Sequence, residues 1–167
     1  MNEDDYNRAL KGTKRLYRAD LSGADLSSVD LRGATMRYAY LTGANLSGAN
    51  LKGADLSGAK LSGANLKGAK LEGVNLKGAK LESVDLRGTD VSGINLEDAF
   101  LLRADLEGAN LSGANLTGVN LQYARFRDAD LTGANLSGAN LKDTDLTAAN
   151  LSGANLTGAN LTNTHGI

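Results

Sequence analysis

A leucine stands at every fifth position from Leu21 to Leu161, broken only by Met36, Val91 and Phe126. Few folds accept that period. On an α-helix, successive centres would rotate by roughly 140° and smear around the cylinder. On a long strand they would alternate between opposite faces, because five is odd. One solution keeps every centre inside: a short extended step, a corner, and the same again.

The other positions of the repeat agree. Two residues before the centre stands Ala or another small or β-branched residue, as in Val29, Val74, Val84, Thr89, Ile94, Val119 and Thr144. In an extended step this residue and the centre point the same way, inward, and the residue between them points out. The outward residue is Asn, Asp or Lys in most repeats. Gly follows two residues after the centre in 19 of 29 repeats, where a corner needs permissive backbone. If each corner turns about a right angle, four repeats close one coil of 20 residues. The frame from Ala19 to Asn163 then gives a little over seven coils, a rod of roughly 35 Å at the usual strand spacing. Glycine-rich chains with few aromatics are often disordered; glycines held in register remove that reading.

Length and charge set the outer limits. The 167 residues fit one domain, and a net charge of −1 gives no bulk attraction to nucleic acid or an anionic membrane. Absence of Cys excludes disulfide and thiolate chemistry. No stretch reads as a signal peptide or a membrane span, so a cytoplasmic protein is expected.

The repeat, as in LTGANLSGANLKGADLSGAK, resembles the pentapeptide repeat family over residues 19–163. The resemblance implies an all-β fold, a right-handed quadrilateral β-helix of about seven coils. Short, cysteine-free members of this kind are abundant in cyanobacteria. It implies a non-enzymatic module that presents a rigid surface to a protein partner. Some relatives, the quinolone-resistance proteins, mimic DNA and bind gyrase, so regulation of a topoisomerase is the alternative. The low net charge and the lysines of residues 52–82 speak against it.

Residues 1–18 stand outside the frame. Tyr6, Ala9 and Leu10 at helical spacing, with Glu3, Asp4 and Asp5 ahead of them and Gly12 after, predict a short α-helical cap at about residues 4–11. A disordered leader is the alternative. Residues 164–167 are read as a tail. The last coil either frays, is covered by residues 162–167, or packs on another copy. End-to-end pairing occurs in the family, so the resemblance implies a homodimer through the C-terminal coils.

In a solenoid, departures from the repeat carry the information. Residues 20 apart stack, and one outward column reads Asp20, Tyr40, Lys60, Lys80, Phe100, Asn120, Asn140, Asn160. Leu102, Arg103 and Tyr123 lie beside it, and Tyr38 one corner away. Exposed aromatics with Arg favour interfaces, so Tyr38, Tyr40, Lys60, Lys80, Phe100, Leu102, Arg103 and Tyr123 are the candidate partner-contact surface. The plainer reading is drift on a solvated face. The lysines at 52, 60, 67, 70, 77 and 80 spread around the rod and read as a solubilising girdle. The column Asn75, Asn95, Asn115, Asn135, Asn155 reads as structural hydrogen bonding in turns, not as a metal cage. Asp85 and Asp105, one coil apart, form a carboxylate pair expected to raise a pKa. His165, in the tail, has no held partner for nucleophilic chemistry. No catalytic residue, cofactor or metal is expected, and no nucleic-acid or membrane partner.

Overall fold

The computed structural model describes all residues, Met1–Ile167. Each repeat performs the same three acts. Its outward residue pairs in parallel with the residue 20 positions on. The leucine after it goes inward, and the next two residues turn. An interval of 20 over a period of five makes four ladders along the chain. The first runs from Asp20 to Asn160, the second from Asp25 to His165, the third from Asp30 to Asn150 and the fourth from Arg15 to Asn155.

Single residues, not long strands, carry the pairing. The Leu26 amide donates to the Asn45 carbonyl at 2.7 Å, and the Asn45 amide donates back to the Ala24 carbonyl at 2.9 Å. A third bond comes from the turn, Gly23 N–H to the Thr42 carbonyl at 2.9 Å. The turn itself closes with Ala24 N–H on the Leu21 carbonyl at 3.1 Å, and its third residue has positive φ, 67° at Gly23. That is the type II pattern, which explains why Gly recurs there.

The outward Asn residues serve two partners at once. Asn95 Oδ1 accepts from the Glu97 amide at 3.1 Å, fixing its own turn, while Asn95 Nδ2 donates to Asn75 Oδ1 at 3.2 Å. Asn115 repeats this on Asn95 at 3.2 Å. An amide has both a donor and an acceptor, so Asn, unlike Asp, can extend such a ladder indefinitely. This is the structural role that the sequence assigned to the column.

Every centre from Leu16 to Leu146 is buried, in one core cluster with the small residues beside them. Leu16 lies within it and Arg15 pairs with Thr35, so the winding starts one repeat ahead of Ala19. Helix α1, Glu3–Leu10, lies ahead of that first coil, with Asn2 as its N-cap and Ala9 buried. Its polar atoms meet the free edge: Asn2 N–H donates to the Asp20 carbonyl, Asp5 Oδ2 accepts from the Asp20 amide, and the Tyr6 hydroxyl donates to the Asp25 carbonyl. These groups would otherwise face solvent as an unpaired edge. At the other end residues 162–165 do not fold over the coil. They continue it: His165 pairs with Asp145 and its carbonyl accepts from Leu146 N–H at 2.8 Å. His165 is therefore held in the ladder rather than frayed. Leu151 and Leu156 are half-buried, and Leu161 is 37% exposed.

Within the rod, away from the last residues, the coil-to-coil bonds are continuous except in one patch. The amides of Gly63, Leu66, Gly68, Leu71, Gly73, Asp85, Asp90 and Asn95 lack the bond that their equivalents make everywhere else, and Lys70 does not pair with Asp90. The patch matches a run of enlarged small positions. Val84, Thr89 and Ile94 replace Ala in three successive repeats, and Ile94 stacks over Val74 rather than Ala. Extra methyl groups in a packed interior force the backbone to move. Val119, flanked 20 residues away by Ala99 and Ala139, keeps its ladder intact, with Asn140 N–H on the Val119 carbonyl at 2.8 Å. One wedge is absorbed; a run of them opens a seam.

Candidate functional site

The outward column of the first ladder holds Tyr40, Lys60, Lys80 and Phe100 in four successive coils, joined pair by pair. Tyr40 and Phe100 are 42% and 43% exposed, although the repeat favours a small polar residue there. Three coil spacings put them about 14 Å apart. Lys60 Nζ lies 4.5 Å from the centre of the Tyr40 ring, within cation–π range. In the turn after the first ladder, Leu102 is half-buried, and the Arg103 guanidinium lies 5.8 Å over the exposed Tyr123 ring. Lys60, Lys80 and Arg103 have no carboxylate within 4.0 Å. Glu82, two residues after Lys80, accepts a hydrogen bond from Ser62 Oγ.

The backbone under this strip is unusual. The turn after the third ladder has Gly at each of its seven occurrences, from Gly33 to Gly153. The turn after the first ladder has none from residue 83 on: Ser83, Arg103, Tyr123, Asp143 and Asn163 follow one another, all with φ between 56° and 60°. Asn and Asp tolerate that left-handed conformation; Arg and Tyr are poorly suited to it.

Seven of the eight candidate residues thus share one strip. Tyr38 does not. It is also left-handed, φ 57°, but its ring covers Gly58 and meets the Tyr17 ring edge-on at 6.1 Å. It closes one end of an open groove of about 520 Å³ along the fourth ladder, floored by Asp55, Asn75 and Lys77 with Asp98 at the far end. Sequence reasoning missed Tyr17, because it lies in the segment outside the frame; extending the five-residue count back to Leu16 would have found it.

The second ladder corrects one expectation. The Asp85 carboxyl is not pushed up by its neighbour one coil on; it is held down. Arg87 stands beside both, Nη2 at 2.7 Å from Asp85 and Nε at 3.9 Å from Asp105, and Arg125 reaches Asp105 at 3.1 Å. The hydrogen bond from Arg87 holds the Asp85 carboxyl down to about 2. The sequence reading counted the acids in that column and overlooked Arg125 in the same column and Arg87 two residues after Asp85. No group of three His, Cys, Asp or Glu side chains gathers in reach of a metal ion. No helix is long and apolar enough to cross a membrane.

Comparison with known proteins places this geometry. Among curated proteins no sequence match is found. Among solved structures, HetL of the cyanobacterium Nostoc sp. strain PCC 7120, a pentapeptide repeat protein involved in heterocyst differentiation regulation, is 41% identical. The match covers 90% of this chain and 69% of HetL, with a TM-score of 0.85. Rfr23 of the cyanobacterium Cyanothece 51142 is 26% identical over 99% of both chains, TM-score 0.30. QnrB1, a plasmid-mediated fluoroquinolone resistance protein, is 20% identical over 87% of this chain and 80% of its own, TM-score 0.40. The family model for pentapeptide repeats, eight copies long, matches residues 15–53, 49–88, 85–122 and 124–163. With a core leucine every fifth residue and that match over nearly its whole length, the chain belongs to the pentapeptide repeat family, whose members fold as right-handed β-helices.

Proposed function

We propose that the chain is a non-enzymatic interaction module that binds a protein partner through the strip of the first ladder, Tyr40, Lys60, Lys80, Phe100, Leu102, Arg103 and Tyr123, with Tyr38 at its margin. One observation carries the reading. Exposed aromatic and apolar side chains lie together where the turns forgo glycine and hold Arg103 and Tyr123 in left-handed backbone. Strain kept where a relaxed residue was available points to a role for the side chains. The similarity to HetL, described as taking part in regulation, favours an interaction role over catalysis. The interior is filled by leucine and offers no enclosed pocket for a substrate.

The test is a pull-down comparing the wild type with Phe100→Asn/Leu102→Ser. Both changes install residues that the repeat uses elsewhere at these positions, such as Asn120 and Ser62, so the fold is expected to survive. Loss of partners from the double variant supports the strip; equal recovery sinks it.

The reading extends to the shape and the ends. Four turns per 20 residues support a square cross-section and about seven coils, with the cap narrowed from residues 1–18 to 1–14 and the tail from 164–167 to 166–167; small-angle scattering tests the rod length of roughly 35 Å. The part-exposed Leu151, Leu156 and Leu161 support end-to-end pairing through the C-terminal coils, which light scattering across a concentration series tests. The topoisomerase alternative predicts inhibition of gyrase supercoiling at micromolar protein. Its charge requirement fits poorly with a net charge of −1 and three unpaired cations on the most distinctive face.

A further inference from the structure

Lys60, Lys80 and Arg103 gather on one face, and none of them lies beside a carboxylate. Other cations of the rod do, as in Lys52–Glu72 at 2.8 Å, Lys77–Glu97 at 2.8 Å and Arg125–Glu107 at 2.8 Å; Lys67 and Lys70, also unpaired, stand on other faces, away from the exposed aromatic residues. On the strip, the one acid within the run from Tyr40 to Tyr123, Glu82, leaves an excess of two positive charges between the aromatic ends. The aromatic rings hold two of these cations in place, Lys60 over Tyr40 and Arg103 over Tyr123, without neutralising them. From this charge pattern we infer that the partner segment is acidic, with apolar anchors, and lies along the rod axis across the first ladder. The inference rests on the strip being the docking surface.

The dimensions fit a short peptide stretch. Tyr40 and Phe100 are about 14 Å apart, the span of four residues of extended chain. Four is even, so two apolar side chains that far apart face the same way, and a carboxylate midway between them falls opposite Lys60 and Lys80. Nucleic acid fits less well. Three cations neutralise few phosphates, which leaves affinity weak and steeply salt-dependent.

The full chain, immobilised, is panned against a phage-displayed library of random 12-residue peptides, in parallel with Lys60→Gln/Lys80→Gln and Phe100→Asn/Leu102→Ser. Circular dichroism melting verifies that each variant is folded. Synthetic copies of the enriched peptides are then titrated by fluorescence anisotropy, beside a 12-nucleotide oligothymidine. The expected result is enrichment of peptides that combine Asp or Glu with aromatic or Leu residues, and a loss of about tenfold or more in affinity on either variant. Neutral or basic peptides that still need Phe100 and Leu102 overturn the acidic partner but keep the strip. Acidic peptides indifferent to both variants, or no enrichment at all, overturn the strip and the partner together. Tighter binding of oligothymidine than of any peptide, lost in Lys60→Gln/Lys80→Gln, assigns the face to nucleic acid and overturns the inference.

Discussion

The seam between residues 63–74 and 82–95 gives the most quantitative test of how this rod is held together. The double substitution Thr89→Ala/Ile94→Ala restores the repeat's own residue at two of the wedged positions. Four absent bonds flank them: Leu71 N–H to the Asp90 carbonyl, Gly73 to Ser92, Asp90 to Ala69 and Asn95 to Val74. At a net 0.5–1.5 kcal/mol each, closing them stabilises by about 2–6 kcal/mol. Against this, Ile94→Ala removes three buried carbons, about 2.4 kcal/mol. Thr89→Ala gives up a hydrogen bond from Thr89 Oγ1 to the Leu86 carbonyl, about 1 kcal/mol. The expected net change therefore lies between a loss of about 1 and a gain of about 3 kcal/mol. Without closure the two losses stand alone, and Ile→Ala in a rigid core by itself costs about 2–5 kcal/mol. Urea melts measure the difference, with an unchanged m-value as the sign that the same surface unfolds. Hydrogen exchange followed amide by amide should show Leu71, Gly73, Asp90 and Asn95 exchanging fast in the wild type and slowly in the variant. Val119→Ala, at an isolated wedge in an intact ladder, is the control and should cost about 1.6 kcal/mol. A loss of 3 kcal/mol or more, with those four amides exchanging as before, would refute the wedge as the cause of the seam.

Three other outcomes are expected. Replacing Tyr123 or Arg103 by Gly relieves a left-handed side chain at a cost in chain entropy, so each variant should be more stable by about 0.5–1 kcal/mol in urea melts while losing partner binding; a destabilised Tyr123→Gly contradicts the strain argument. Leu116 is fully buried, and Leu116→Asp places an unpaired charge on the axis, so circular dichroism should show the cooperative melt lowered by several kcal/mol or lost. Acid should lower the stability of the rod from about pH 4 downward. Asp20, Asp25, Asp30, Asp130 and Asp145 are held below the ordinary carboxylate range chiefly by hydrogen bonds from the residue two places on, and Glu72 by Lys52. Arg87 holds Asp85 at about 2. A carboxylate depressed in the folded state stabilises above its unfolded pKa and ceases to as pH falls through the folded one. Melting temperature should therefore be flat from pH 5 to 8 and fall between about pH 4 and 2; a melt unchanged at pH 2 would show these hydrogen bonds contribute nothing.

Much of the architecture was legible because the repeat states it many times. Leu at each fifth place, Ala two before it and Gly two after it each answer to a local requirement: an axis to fill, a narrow space beside it, a turn with positive φ. Thr35 and Tyr40 stay outward for the same reason of alternation, although they are neither Asn nor Asp. The candidate strip was legible as a column of exceptions, since stacking follows arithmetic once the coil length is known. The pKa of Asp85 was not. It depends on where the Arg87 side chain turns, and no count of residues gives that.

By itself, then, the sequence determined the period, the inward and outward positions, the helical cap and the list of residues that break the pattern. Those follow from short-range sterics and hydrophobic alternation, which a residue meets wherever it sits in the rod. Only the tertiary structure decided which deviations matter together. Val84, Thr89 and Ile94 open a seam because three successive repeats press on the coil below at once, and Val119 does not because it stands alone between Ala114 and Ala124. Tyr38 leaves the strip because its ring falls across Gly58, and three cations remain uncompensated because no acid reaches them. Such outcomes depend on contacts 20 residues away, where packing volume and side-chain direction set the result.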